Sequence, residues 1–114
     1  EDIKEAINFF KMSNLDSLFS ATDFSDYFMW QYEKNILKTL NYDFKKRKRR
    51  QEISKETIVE NGSFYIFKPD GFIKNKNRLF GKIGFYKMEK FKAFQIDSLS
   101  DIDLVQNLMK NYDI

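Results

Sequence analysis

The sequence predicts an α/β fold, and two observations carry that prediction. Segments with apolar residues at helical spacing interleave with short aromatic and β-branched runs, a pattern that layers helices on a sheet. Between two of those strands lies a further pair, over residues 27–40, with more apolar surface than a lone exposed ribbon should carry. The 114 residues are enough for one modest domain, and 42% hydrophobic with 18% aromatic content is enough for a core.

Taken in order, Glu1 and Asp2 put carboxylates where a helix N-terminus favours them, and Ile3, Ile7 and Phe10 follow at helical spacing beside Ala6. Ser13-Asn14 ends that helix. Asp16 to Thr22 reads as a strand centred on Leu18 and Phe19. Tyr27 to Gln31 and Ile36 to Leu40 read as two strands joined around Glu33-Lys34-Asn35. The apolar surface of Phe28, Trp30, Tyr32, Ile36 and Leu40 serves either an intramolecular core or a subunit interface.

The stretch from Arg47 to Phe67 organises the rest. A basic cluster and a polar spacer lead to Asn61-Gly62, read as a tight turn, and then to a strand through Ser63-Phe64-Tyr65-Ile66-Phe67. Pro69 opens a short helix to about Lys76, since proline suits a first helical position. Residues 77–82 form a loop with Gly81, 83–88 a strand and 94–97 another. The last helix spans about 101–111, with Ser98 or Ser100 as cap and Ile102, Val105, Leu108 and Met109 as its buried stripe.

Composition excludes some chemistry. With neither cysteine nor histidine, the chain by itself holds no disulfide, zinc site, cysteine nucleophile or Ser-His-Asp triad. The four glycines, at 62, 71, 81 and 84, form no phosphate cradle. No apolar run approaches the roughly 20 residues that cross a bilayer and no signal peptide is visible, so no membrane association and a cytoplasmic location are expected. The chain begins at Glu1, already in a helix start, and so reads as truncated or processed.

The net charge of +3 hides a local field. Lys45 to Arg50 carries six positive charges and leaves 14 basic against 17 acidic residues elsewhere. Taken bare, such a run is a solvated loop, a nucleic-acid patch or a discrete anion site, and arginine binds carboxylate and phosphate two-pronged. Tyr65 alternates with Phe64 and Ile66 and so faces away from them. It reads either as an ordinary core or interface tyrosine or as a ring that packs on a ligand while its hydroxyl hydrogen-bonds. Asp97 is expected to end a strand just ahead of a helix, where ligands bind in open α/β sheets. The alternative is a capping or turn aspartate. Asp101 reads as a helix-start residue, and Arg78 and Lys82 by default as surface charge.

Arg50-Gln51, then Asn61-Gly62-Ser63-Phe64-Tyr65-Ile66, then Asn77-Arg78-Leu79-Phe80-Gly81-Lys82-Ile83, then Ile96-Asp97 with Asp101, closely resemble the downstream half of the acylneuraminate cytidylyltransferases. The resemblance spans nearly the whole chain and keeps the motifs in order. It implies the downstream part of a Rossmann-like nucleotide-sugar transferase fold, a mixed sheet with flanking helices, carrying a dimerisation hairpin and basic loop at about 27–60. The upstream nucleotide-binding part has no counterpart in these residues.

The activity it implies is transfer of CMP from CTP to a nine-carbon keto-sugar acid, an N-acylneuraminate or a bacterial relative such as legionaminate, with release of pyrophosphate. Such CMP-sialic acid synthesis feeds cell-surface polysaccharide. By the resemblance Asp97 is the catalytic residue and the ligand of magnesium, and Gln95 stands where many relatives carry a second acidic residue. Asn61 and Tyr65 line the sugar pocket. Arg50 and Gln51 reach an anionic group across a homodimer whose interface includes Phe28, Trp30, Tyr32 and Ile36. The fragment alone is expected to be inactive, because phosphoryl transfer depends on the missing triphosphate site. Nucleic acid is not an expected partner on this reading. The alternative is a small nucleic-acid-binding module that uses Lys45 to Arg50.

Overall fold

In a computed structural model the chain is described over residues 1–25, 27–49, 56–93 and 96–112. The architecture is α/β, a mixed sheet with flanking helices. It divides into two compact units, Glu1–Asp23 with Val59–Ile114, and Phe24–Ile58.

In the first unit helix α1 (Asp2–Met12) leads into strand β1 (Ser17–Asp23). After the second unit the chain returns as β4 (Ile58–Phe67), then helix α2 (Pro69–Asn75), strand β5 (Ile83–Lys87) and helix α3 (Leu99–Asn111). The sheet order is β4-β1-β5. β1 and β5 run parallel, with Ser17 opposite Ile83 and Ala21 opposite Lys87. β4 runs the other way. Lys68 N–H meets Asp16 C=O beside the start of β1, and Phe64 N–H meets Ser20 Oγ further along it. As the central strand, β1 is buried on both faces, and Leu18 and Ala21 join Ala6 and Leu15 in the small core.

Asn61-Gly62 does not make the expected tight turn before a strand. β4 runs through it, and Gly62 adopts φ 72°, the positive value of a β-bulge glycine. Asn61 Oδ1 accepts the Ser63 N–H at 3.1 Å, closing the local loop, and the Ser20 hydroxyl at 2.6 Å. The dipeptide signal for positive φ was sound, but a turn between strands and a bulge within one both use it.

Two helical stripes also differ from expectation. On α1 the covered positions are Asp2, Ala6 and Phe10, while Ile3 and Ile7 are exposed. The polar Asp2 is drawn inward by the Tyr86 hydroxyl and the Lys92 ammonium, at 3.1 and 2.8 Å. On α3 Val105 and Leu108 are half-buried, but Ile102 and Met109 are exposed. With Met88 and Phe91 the α3 stripe lines an open groove of about 470 Å³ rather than a closed core. Half of the strand expected over 94–97 lies outside the described residues, and Ile96 and Asp97 are not in a strand.

The second unit is built on a hairpin. β2 (Trp30–Glu33) and β3 (Ile36–Thr39) pair antiparallel, Trp30 with Thr39 and Tyr32 with Leu37. Lys34 and Asn35, at φ 51° and 62°, are the two positive-φ residues that a type I′ connection requires. A 3-10 turn over Phe44–Lys46, capped by Asp43 accepting the Lys45 N–H, carries the chain into the basic run. Phe28, Trp30, Tyr42 and Phe44 pack together, with Tyr42 edge-on to both Phe28 and Trp30. The Arg47 guanidinium lies 4.0 Å over the Phe28 ring.

Candidate substrate site

Tyr65 follows the bulge on β4, on the side opposite Phe64, whose ring neighbours Tyr86. The Tyr65 hydroxyl donates to Glu60 Oε1 at 2.9 Å, a bond that holds the phenol protonated above its ordinary range. The Arg78 guanidinium carbon lies 4.1 Å from the centre of the same ring. One half-exposed aromatic body thus has an acid at its hydroxyl and a cation on its face.

Asn61 lies four residues before Tyr65 on the same strand. It is 4% exposed, and its amide nitrogen donates to Met88 Sδ at 3.3 Å while its oxygen takes two donors. Its side chain is engaged in holding β4 against β1 and against Met88, one residue past β5.

Asp97 lies on the exposed segment leading into α3. Its N–H donates to Asp101 Oδ2 at 2.9 Å, and the Ser98 N–H donates to the same oxygen at 3.0 Å. Asp101 is therefore the helix-start residue its position promised, closing a capping box with Ser98. The two donated N–H groups, Asp97's first, hold the Asp101 carboxyl below its ordinary range. Asp97 is exposed, and among the described residues its carboxylate makes no hydrogen bond or ion pair. Among the described residues no three acidic groups gather as a metal cage. A lone exposed carboxylate fits magnesium, which takes one or two protein carboxylates with phosphate and water completing its shell. No hydrogen bond or ion pair among the described residues joins Asp97 to Asn61 or Tyr65.

Arg50 and Gln51, and Gln95, lie outside the described residues. Of the basic run, Lys45 to Arg49 are described; all five are exposed and none forms an ion pair among the described residues. Lys82, by contrast, is structural: its N–H meets Asp16 Oδ2 at 2.8 Å and its ammonium meets Ser13 C=O at 3.1 Å.

The hairpin separates the expected interface residues. Cross-strand partners share a face, so Trp30, Tyr32, Leu37 and Thr39 point one way, and Gln31, Glu33, Ile36 and Lys38 the other. Ile36 thus stands apart from Trp30 and Tyr32. Leu37 joins them, a membership that register alone reveals. Phe28 and Trp30 also serve the unit's own aromatic cluster.

No protein-family model matches the chain, and no curated protein matches it either. Among the described residues no helix is long and apolar enough to cross a membrane.

Proposed function

We propose that the chain is the downstream part of a Rossmann-like cytidylyltransferase that transfers CMP from CTP to a nine-carbon keto-sugar acid, as the motif resemblance implies. The observation that best supports this reading is the order of the two units. An α/β body is interrupted, between two neighbouring strands of its sheet, by a hairpin presenting Trp30, Tyr32 and Leu37 to solvent. The resembled family carries its dimerisation extension at this point of the chain.

On this reading Tyr65 offers its ring to the sugar, and Asn61 lines the pocket while holding the strand that carries Tyr65. Asp97 would hold magnesium. The metal, when bound, supplies positive charge against the α-phosphate as the anomeric hydroxyl attacks and pyrophosphate leaves. Arg50 and Gln51 would reach an anionic group from the partner of a homodimer. The proposed location is the cytoplasm, where CTP is available to such a reaction.

The test is pyrophosphate release with CTP, magnesium and a panel of sialic-acid-type sugars, comparing this chain with one extended upstream. Release by the extended chain alone, lost in Asp97→Asn, is the expected result. Release by the 114-residue chain would overturn its inactivity. Silence from both would overturn the enzyme.

One observation favours a second reading. Arg47 over the half-buried Phe28 and Lys45 at 6.0 Å from the exposed Phe44 ring interleave cations with aromatics, as single-strand nucleic-acid binders do. That reading requires oligonucleotide binding that weakens steeply with salt, because each phosphate contact releases counterions.

A further inference from the structure

Arg78 stands on the loop between α2 and β5, exposed, with its guanidinium laid against the Tyr65 ring. Among the described residues no carboxylate comes within ion-pair distance of it. A guanidinium stacked on an aromatic face uses its π surface and keeps its in-plane N–H donors for another partner. Arg78 is thus a charged fork with no counter-ion among the described residues.

Its support is unusually firm for a surface loop. The Leu79 N–H donates to Asn77 Oδ1 at 3.0 Å, turning the chain at Arg78. Phe80 is tied at both backbone groups to the buried Ser17: its N–H donates to Oγ at 2.9 Å, and its C=O accepts from Oγ at 2.8 Å. The Phe80 ring packs on Gly71 of α2. Gly81, at φ 61°, lets the loop close on Asp16, which takes the Lys82 N–H. Glu60 adds an orienting field: its charge at the Tyr65 hydroxyl repels an anion from that end of the ring and leaves the Arg78 edge as the favourable approach.

We propose that Arg78, held over the Tyr65 ring, receives the carboxylate of the sugar acid in a two-pronged hydrogen bond. The assignment rests on the sugar-acid reading above and adds a residue that sequence reasoning leaves as surface charge. Arginine meets a planar carboxylate with two parallel N–H···O bonds, so the pair selects a free acid over its neutral ester.

The experiment is a titration of the isotope-labelled 114-residue chain with N-acetylneuraminate and with its methyl ester, read by NMR at the Arg78 Nε–H and fitted for Kd. The free acid is expected to bind the wild type about tenfold or more tightly than the ester, the effect of losing a charge-assisted pair. In Arg78→Ala the ratio is expected to fall to about one, and Arg78→Lys to recover part of it. If acid and ester bind the wild type equally, or if Arg78→Ala keeps the full ratio, the carboxylate is read elsewhere; the assignment fails and the sugar-acid reading stands. If neither compound binds the wild type, the assignment fails, and the sugar-acid reading is decided separately by pyrophosphate release from the extended chain.

Discussion

The Ser20 hydroxyl donates to Asn61 Oδ1 at 2.6 Å, joining the central strand to the bulge of its neighbour in a site where both residues are at most 4% exposed. Ser20 also accepts the Phe64 N–H, and Asn61 accepts the Ser63 N–H, so two backbone donors depend on this side-chain pair. Removing the carboxamide takes the acceptor from the buried Ser20 hydroxyl and from the part-buried Ser63 N–H. Asn61→Ala is therefore expected to lower unfolding stability by about 2 kcal/mol, measured by chemical denaturation. A variant of unchanged stability that loses sugar binding would instead make Asn61 a ligand contact.

The hairpin gives a test of assembly that depends on which way each side chain points. Tyr32 and Leu37, 68% and 60% exposed, share the face of Trp30, whereas Ile36 at 65% lies on the face of Gln31 and Lys38. Tyr32→Asp and Leu37→Asp are expected to convert a dimer to a monomer in sedimentation, and Ile36→Asp to leave it dimeric. These positions test the interface better than Trp30, whose ring packs on Tyr42 and Phe44 and whose loss would loosen the unit itself.

What the sequence makes legible here is chemistry confined to a few neighbouring residues. Pro69 opens α2 as its fixed φ requires, and the strands at β1 and β5 lie within a residue of their expected ends. Asn61-Gly62 announces positive φ but not whether the chain reverses there, because that depends on Ser20, 41 residues away. The α3 stripe announces an apolar face but not how far it is covered. Arg78 gives no local sign at all, since its meaning lies in the ring of Tyr65 on another element. Asp101 is legible as a helix-start residue, because a helix cap is itself a local pattern.

The Asp2 cluster sets a pH window. The Lys92 ammonium first, and the Tyr86 hydroxyl with it, hold the Asp2 carboxyl below its ordinary 3.8, so its contribution is present above that value and is lost as pH falls through the lowered one. Tyr86 moves the other way. Its hydrogen bond to Glu5, then burial, and then Asp2 raise it above 10.0, so its contribution holds below pH 10 and is lost as pH climbs through the raised value. Thermal unfolding followed across pH is expected to show a plateau between these limits. Asp2→Asn should lower the plateau and flatten the acid limb, and Tyr86→Phe should flatten the alkaline one. Limbs that keep their slopes in both variants would place the titration elsewhere.

Asp101 separates the start of α3 from the chemistry of Asp97. Its carboxylate takes the N–H groups of both Asp97 and Ser98, so it fixes the backbone that carries the proposed magnesium ligand. Groups that orient a ligand in this way typically change metal affinity by about 10- to 100-fold when removed. In the upstream-extended chain, Asp97→Asn is expected to abolish pyrophosphate release at every magnesium concentration. Asp101→Ala should raise the magnesium needed for half-maximal rate by about tenfold, with most of the rate regained at saturation. Asp101→Asn keeps an oxygen that can accept the same N–H groups, and so should restore the wild-type midpoint. An Asp101→Ala variant as dead as Asp97→Asn, and not rescued by magnesium, would mean that Asp101 is itself a ligand.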